Sequence, residues 1–249
     1  MAKNKNNENI VRNPLINVKK ELDFKVNIKC KNKKQKEFLK LLKSPDKTIC
    51  FGIGSAGSGK SYISLAYALE ELTNMTSLYN KIVCFVPTCE AGEMSIGFLK
   101  GYVDEKIEPY VQCDTHTMVK ILDNSGNTNS KKIINNLVKE EIIQYELVNF
   151  VRGKTFDNTI VLINESENYS KEELLLLLTR LGENSKIIIS GDLQQLDRKD
   201  IKSNKKESGL DYAVKKLNHL NEFGLVQFTH EDIVRNPLIS KIINAWEAK

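Results

Sequence analysis

The chain has 249 residues, room for one large domain or one domain with an extension. Its 41% hydrophobic and 28% charged residues are those of an ordinary globular chain, and no apolar run approaches the roughly 18 residues that a membrane span needs. The cysteines (Cys30, Cys50, Cys84, Cys89, Cys113) are odd in number with no CxxC pair, and the histidines do not cluster; this excludes a disulfide framework or a zinc scaffold and fits a reducing cytosol.

The N-terminus, Met1 to Ile10, is rich in Lys and Asn with no apolar stretch, so the sequence predicts no signal peptide and a cytoplasmic protein without a membrane anchor. Residues 1–43 carry 13 Lys/Arg against 4 Asp/Glu, whereas the other 206 carry 24 against 28. The basic character is therefore an N-terminal feature. Residues 1–28 read as a loosely ordered basic arm and residues 29–249 as one domain. Such an arm suits a nucleic-acid phosphate backbone through counterion release, and equally a solvated arm that only aids solubility. It has few aromatics on which bases would stack.

Gln35 to Leu42 has apolar residues at 38, 39, 41 and 42, an amphipathic helix that Ser44-Pro45-Asp46 breaks. Thr48 to Ile53 reads as a buried strand, followed by a Gly-rich run and a helix over Lys60 to Leu72. Further short apolar runs, Lys81 to Val86, Thr159 to Ile163, Lys186 to Ile189 and Leu225 to Phe228, have the length of buried parallel strands. Ser170 with Glu173 forms a capping box before a leucine-rich helix, Pro237 to Trp246 reads as a closing helix, and Asp123 to Lys132 reads as a loop tip or mobile insertion. Strands alternating with helices give a layered α/β domain with a mostly parallel sheet. The segment Ile10-Val11-Arg12-Asn13-Pro14-Leu15-Ile16 recurs unchanged at 233–239, a single pair and hence no solenoid.

The run Gly54-Ser55-Ala56-Gly57-Ser58-Gly59-Lys60-Ser61 fits GxxxxGK[ST] between a strand and a helix. Glycines let backbone N–H groups turn inward around phosphates, and the helix N-terminus adds positive potential. In this pattern Lys60 reaches the β- and γ-phosphates and the Ser61 hydroxyl ligates Mg²⁺. The strand Thr159 to Ile163 ends in Asn164-Glu165, where an acidic pair is usual. Asn164 is placed to meet the metal through a water, without the charge of an Asp, and Glu165 is the candidate general base. ATP and Mg²⁺ are the expected ligands.

From about Asn32 to the C-terminus the chain resembles the PhoH family of P-loop ATPases, which is similar to the core of superfamily 1 helicases. The resemblance implies a three-layer P-loop fold with a helicase- or RecA-like core. Asn32 and Gln35 resemble the family's N-terminal glutamine motif, which implies that Gln35 contacts the adenine base. Glu90-Ala91-Gly92-Glu93 with Gly97-Phe98-Leu99-Lys100-Gly101 resembles "EAGE…GFLPG", and Phe150 to Thr155 resembles "MRGRT". Leu178 to Gly182 and Ser190 to Asp197 resemble "LTRIG…TGDxxQxD", which implies that Asp192 and Gln195 read the γ-phosphate. Asp232 to Leu238 resembles "DVVRHPLV", implying that Arg235 is an arginine finger. Asn164, Val86 and Lys100 depart from the family's Asp, Arg and Pro. The resemblance also implies a homo-oligomer, a hexameric ring with an arginine supplied between subunits.

Two functions follow. One is an ATPase coupled to RNA or single-stranded DNA, with helicase-like remodelling as its fullest form. The other is an ATP-binding assembly switch with little hydrolysis, because Asn164 replaces the metal-facing Asp. A small-molecule kinase shares the phosphate loop, but the Ser190 to Asp197 element argues against it, and no lid or acceptor site is recognisable.

Overall fold

The computed structural model describes residues 22–87, 103–193 and 208–234. Its elements in chain order are α1 (Lys33–Leu42), β1 (Ile49–Gly54), α2 (Lys60–Thr73), β2 (Lys81–Val86), α3 (Val103–Asn124) and α4 (Ser130–Lys139). Then come β3 (Ile143–Leu147), β4 (Thr159–Ile163), α5 (Lys171–Leu178), β5 (Lys186–Gly191), α6 (Gly209–Leu217) and β6 (Phe223–Phe228). The strands form one sheet in the order β3-β2-β4-β5-β1-β6, every neighbouring pair parallel. This is the α/β architecture that the alternating elements predict.

Parallel strands need crossover connections, and those connections cover both faces of the sheet. The strand side chains accordingly divide at a period of two. Cys50, Ile82, Cys84, Ile160, Leu162 and Ile188 pack with α1 to α4, where Phe38, Leu42, Ile63, Met118 and Leu137 are buried. Phe51, Val83, Phe85, Val161, Ile163 and Ile189 pack on the opposite face with Leu174 and Leu177 of α5 and Leu210 of α6. The helix ends are satisfied locally. Asn32 caps α1 by accepting from the Gln35 N–H at 2.8 Å. Ser170 and Glu173 form the expected capping box of α5.

Strand β3 is absent from the sequence reading. It lies at the sheet edge with only its end residues Ile143 and Leu147 buried, so Gln144 and Glu146 interrupt the apolar run. The polar tract Asp123 to Lys132 is not an insertion. Its first residues complete α3 and Ser130 begins α4. The turn between them is tied down by Asn127, which accepts from the Lys25 N–H at 2.8 Å and donates to the carbonyls of Lys25 and Leu122 at 2.7 and 2.8 Å. Residues 22–28, read from sequence as the end of the arm, bring Phe24 into the core with Leu22, Val26 and Ile28 packed beside it. The expected closing helix, Pro237 to Trp246, lies outside the described residues.

One buried cation joins α1 to the sheet. Lys186, at the start of β5, is 1% exposed and donates to the carbonyls of Leu42 and, at 2.9 Å, Ser44, where α1 ends. Burial lowers its pKa, yet the two acceptors are backbone groups at a helix C-terminus, where positive charge is favoured. Lys186→Met keeps the volume and leaves both carbonyls without that donor. We expect a loss of about 2 kcal/mol in urea unfolding; unchanged stability would show that these contacts contribute nothing net.

Candidate nucleotide site

The phosphate loop is shaped by close approaches that only glycine permits. Gly54 ends β1 with φ of 128°, and a Cβ there would lie 1.9 Å from the Phe228 carbonyl oxygen of β6. Gly59 opens α2 with φ of 88°, and its Cβ would lie 2.6 Å from Gln35 Nε2. Between them the Lys60 ammonium, 8% exposed, folds back to donate to the carbonyls of Gly54 and, at 2.9 Å, Ser55. Ser61 follows in the first turn of α2 and, like Ala56, Gly57 and Gly59, lines the cleft above the loop.

Gln35 is buried behind the loop. Its Oε1 accepts from the Lys31 N–H at 2.7 Å and its Nε2 donates to the Ser58 carbonyl at 2.8 Å, so it holds the loop while also bordering the cleft. The chain after β6 closes the other side. His230 Nδ1 lies 3.1 Å from Ser55 Oγ, Asn32 Nδ2 donates to the Asp232 carbonyl, and the Val234 N–H donates to the Gly57 carbonyl at 3.1 Å. His230 carries no sequence signal, being one polar residue after a strand.

The acids come from two strand ends and one helix. Asp192 follows β5, and its Oδ2 accepts from the Ala56 N–H of the loop at 3.0 Å. Its own N–H donates to Glu167 Oε2 at 2.9 Å. Asn164 and Glu165 follow β4, the next strand but one from β1, because β5 lies between them. Glu165 has φ of 50° and ψ of 42°, a left-handed conformation that costs a non-glycine residue on the order of 1 kcal/mol. That turn leads into the 3₁₀ segment Ser166–Asn168, pinned to β5 by Ser166 Oγ donating to the Ser190 carbonyl at 3.0 Å. Sequence reasoning missed Glu167, although it lies only two residues past Glu165.

It also missed Asp114, a mid-helix acid of α3. The side chain hydrogen-bonds with Asn164, and burial, followed by the nearby Glu165 charge, raises its pKa to about 7 against the opposing effect of that hydrogen bond. Glu167 is likewise pushed up to about 7, chiefly by burial, although its hydrogen bonds to backbone N–H groups oppose the shift. The Tyr169 hydroxyl is fully buried without a hydrogen-bond partner among the described residues, and it feels the charges of Glu173, Glu165 and Asp114.

One cleft of about 910 Å³ is lined by Lys60, Ser61, Asp114, Asn164, Glu165, Glu167 and Asp192, with Lys29 and Lys31 also on its wall. That volume is within the range of small-molecule sites. A larger groove of about 1170 Å³ runs along edge strand β3, but it contains no part of the phosphate loop. Two features of the cleft fit a magnesium nucleotide. A loop amide already binds an anion, the Asp192 carboxylate. The hydroxyl, amide and carboxylate groups that line the cleft with Lys60 carry oxygen donors that a hard dication prefers, and Mg²⁺ typically takes only one or two protein groups beside phosphate oxygens. Among the described residues no group of three or more His, Cys, Asp or Glu forms a ready metal cage. Gln195, Arg235, the stretch 90–101 and the first copy of the repeat lie outside the described residues.

The raised pKa of Glu167 has a consequence for stability. The folded protein holds this proton more tightly than the unfolded chain, where the carboxyl titrates near 4.5. Its contribution is therefore full below that value and is lost as the pH rises through about 7. Glu167→Gln keeps an oxygen for the Asp192 N–H and removes the ionisation. In EDTA without nucleotide, the variant is expected to exceed wild type in thermal-melt stability by about 2 kcal/mol at pH 8 and to differ little at pH 4. Equal stability at both pH values would contradict the burial cost.

A sequence model described as "PhoH-like protein" matches residues 27–247. The chain is 34% identical to the PhoH-like protein of Bacillus subtilis over 221 residues, 88% of this chain and 64% of that protein. It is 33% identical over 199 residues to the PhoH-like protein of Mycobacterium tuberculosis, covering 80% of this chain and 53% of that one. It is 32% identical over 221 residues to protein PhoH of Escherichia coli, covering 88% and 58%. The chain thus spans between about half and two thirds of the length of these relatives. The phosphate loop, the acidic strand end and the parallel sheet all lie within the matched region, and the chain belongs to the PhoH-like protein family.

Proposed function

We propose that this chain binds ATP with Mg²⁺ and hydrolyses it, with turnover coupled to RNA or single-stranded DNA. The observation that carries the reading is the meeting in one cleft of Lys60 and Ser61, the strand end Asn164-Glu165, and Asp192 on a loop amide. Lys60 now donates to the Gly54 and Ser55 carbonyls, hydrogen bonds that a phosphate oxygen would replace with a charged partner. Mg²⁺, held by the Ser61 hydroxyl and by Asn164 through a water, would neutralise β- and γ-phosphate charge.

Glu165 orients and deprotonates the attacking water. Asp192 senses the γ-phosphate because both compete for the Ala56 N–H, and Gln195 joins it in that role. Arg235, one residue past the Val234 contact with the loop, stabilises charge in the transition state, in cis or from a neighbouring subunit of a hexameric ring. Lys29 and Lys31 at the cleft extend the basic N-terminal region toward the nucleotide and offer a route by which bound nucleic acid would influence it.

Asn164 favours a second reading, an ATP-dependent assembly switch with slow turnover. Steady-state Mg-ATP hydrolysis, with and without RNA or single-stranded DNA, separates the two. Glu165→Gln is expected to keep ATP binding and to lower turnover by about 10²- to 10⁴-fold. Lys60→Ala is expected to lose tight triphosphate binding. Wild-type turnover above the Glu165→Gln background and stimulated by nucleic acid supports the coupled ATPase. Wild type at that background, with ATP-dependent assembly, supports the switch.

A further inference from the structure

We propose that the seat on the phosphate loop taken by Ile233 and Val234 has a second occupant, the identical segment Ile10 to Ile16 of the same chain, and that the two copies compete for it. Competition for this seat does not require that the cleft turn over ATP.

The seat is built from few contacts. Past the 3₁₀ turn His230–Asp232 the chain is extended at Ile233, with φ of −65° and ψ of 120°. The Val234 N–H then donates to the Gly57 carbonyl at 3.1 Å. A Cβ on Gly59 would lie 3.7 Å from Val234 Cγ2, so the valine packs against the glycine that opens α2. Two residues earlier, the Asp232 carbonyl accepts from Asn32 Nδ2 at 2.8 Å. Two of these contacts are made by backbone groups and the third by a valine, and a second stretch with the same spacing can remake all three.

The N-terminus supplies such a stretch. The identity of residues 10–16 with 233–239 continues upstream, where Glu8 matches Glu231 and Asn9 stands in the place of Asp232. Asp232 Oδ2 accepts from the Thr229 N–H at 2.9 Å and so closes the turn before the seat; an Asn side-chain oxygen accepts in the same way and favours such turns. The counterpart of His230, which lies 3.1 Å from Ser55 Oγ through Nδ1, is Asn7, whose amide carries its polar atoms at the same branch of the side chain. Of the two seven-residue copies only Ile233 and Val234 are among the described residues.

Chain length permits the exchange within one molecule. Asn9 stands 13 positions before Leu22, whereas Asn32, which holds the Asp232 carbonyl, stands 10 positions after it. At roughly 3.4 Å per residue the N-terminal stretch is longer than the stretch it has to retrace. The covalent tether also keeps the segment at an effective concentration on the order of millimolar, which suffices for contacts too weak to join separate molecules. Residues 229–234 leave β6 directly and are the resident occupant; the N-terminal copy, on a longer tether, is the minor one. Exchange keeps an arginine, Arg12 for Arg235, directly after the valine that meets Gly57. It also links the basic arm to the loop, because a ligand that holds the arm elsewhere returns the seat to residues 233 and 234.

The test is NMR on the full chain with valine methyl groups and glycines labelled, Val11 and Val234 being assigned by substitution. The readout is the nuclear Overhauser contact of Gly59 with each valine. In wild type the contact with Val234 is expected to dominate. His230→Ala removes the Ser55 hydrogen bond from one copy alone, and is expected to raise the share of Val11 by about fivefold, the effect of one lost hydrogen bond. Val234→Asp is expected to hand the seat to Val11, and adding Val11→Asp to abolish that contact. Thermal melts confirm that each variant folds, and if Val234→Asp does not, His230→Ala decides alone.

Absence of a Gly59–Val11 contact in the folded variants would overturn the inference. A contact that arises only between labelled and unlabelled chains in a mixed sample would overturn it too, because the occupant would then be a neighbouring copy's segment.

Discussion

All six strands among the described residues run parallel, and this single constraint organises the fold. Parallel neighbours cannot be joined by tight hairpins, so the connections cross over the faces, and all but the one from β3 to β4 bring an α-helix with them. Both faces are then apolar, and polar chemistry is driven to the edge where the strands end and the helices begin. At that edge β1 delivers the phosphate loop, β4 delivers Asn164 and Glu165, and β5 delivers Asp192. The cleft exists because three carboxyl ends converge on one helix N-terminus.

The order of the strands matters as much as their direction. With β5 between β1 and β4, Asp192 stands beside the loop and accepts from the Ala56 N–H, while Glu165 lies one strand further away. Glu167, which follows β4, accepts from the Asp192 N–H after β5, so the two strand ends form a connected unit. The cost of this arrangement appears in the raised pKa values of Asp114 and Glu167, both of which burial holds well above the ordinary carboxylate range.

Local pattern was a good guide wherever local physics decided the outcome. Lys81–Val86 and Thr159–Ile163 have the predicted bounds because each is a continuous apolar run buried on both faces. The helix at Lys60 begins where the glycine pattern places it. Edge strand β3 escaped notice because half-exposure admits Gln144 and Glu146, and an edge needs no continuous apolar run. The tract at 123–132 misled for a related reason: its polarity is that of a turn, but the turn is anchored by Asn127 to Lys25, 102 residues away in sequence.

By itself the sequence determined the phosphate loop, the strand that carries Glu165, the layered α/β class and the family, since each depends on residue types at short spacing that the backbone must satisfy locally. Only the tertiary structure decided which strand lies between β1 and β4, that Gln35 holds the loop by way of the Ser58 carbonyl, and that His230 meets Ser55. It alone brought Asp114 to Asn164 across 50 positions of chain. The reason is physical: a hydrogen bond between distant residues is selected by the packing of whole elements, and nothing in the local spacing of either partner records it.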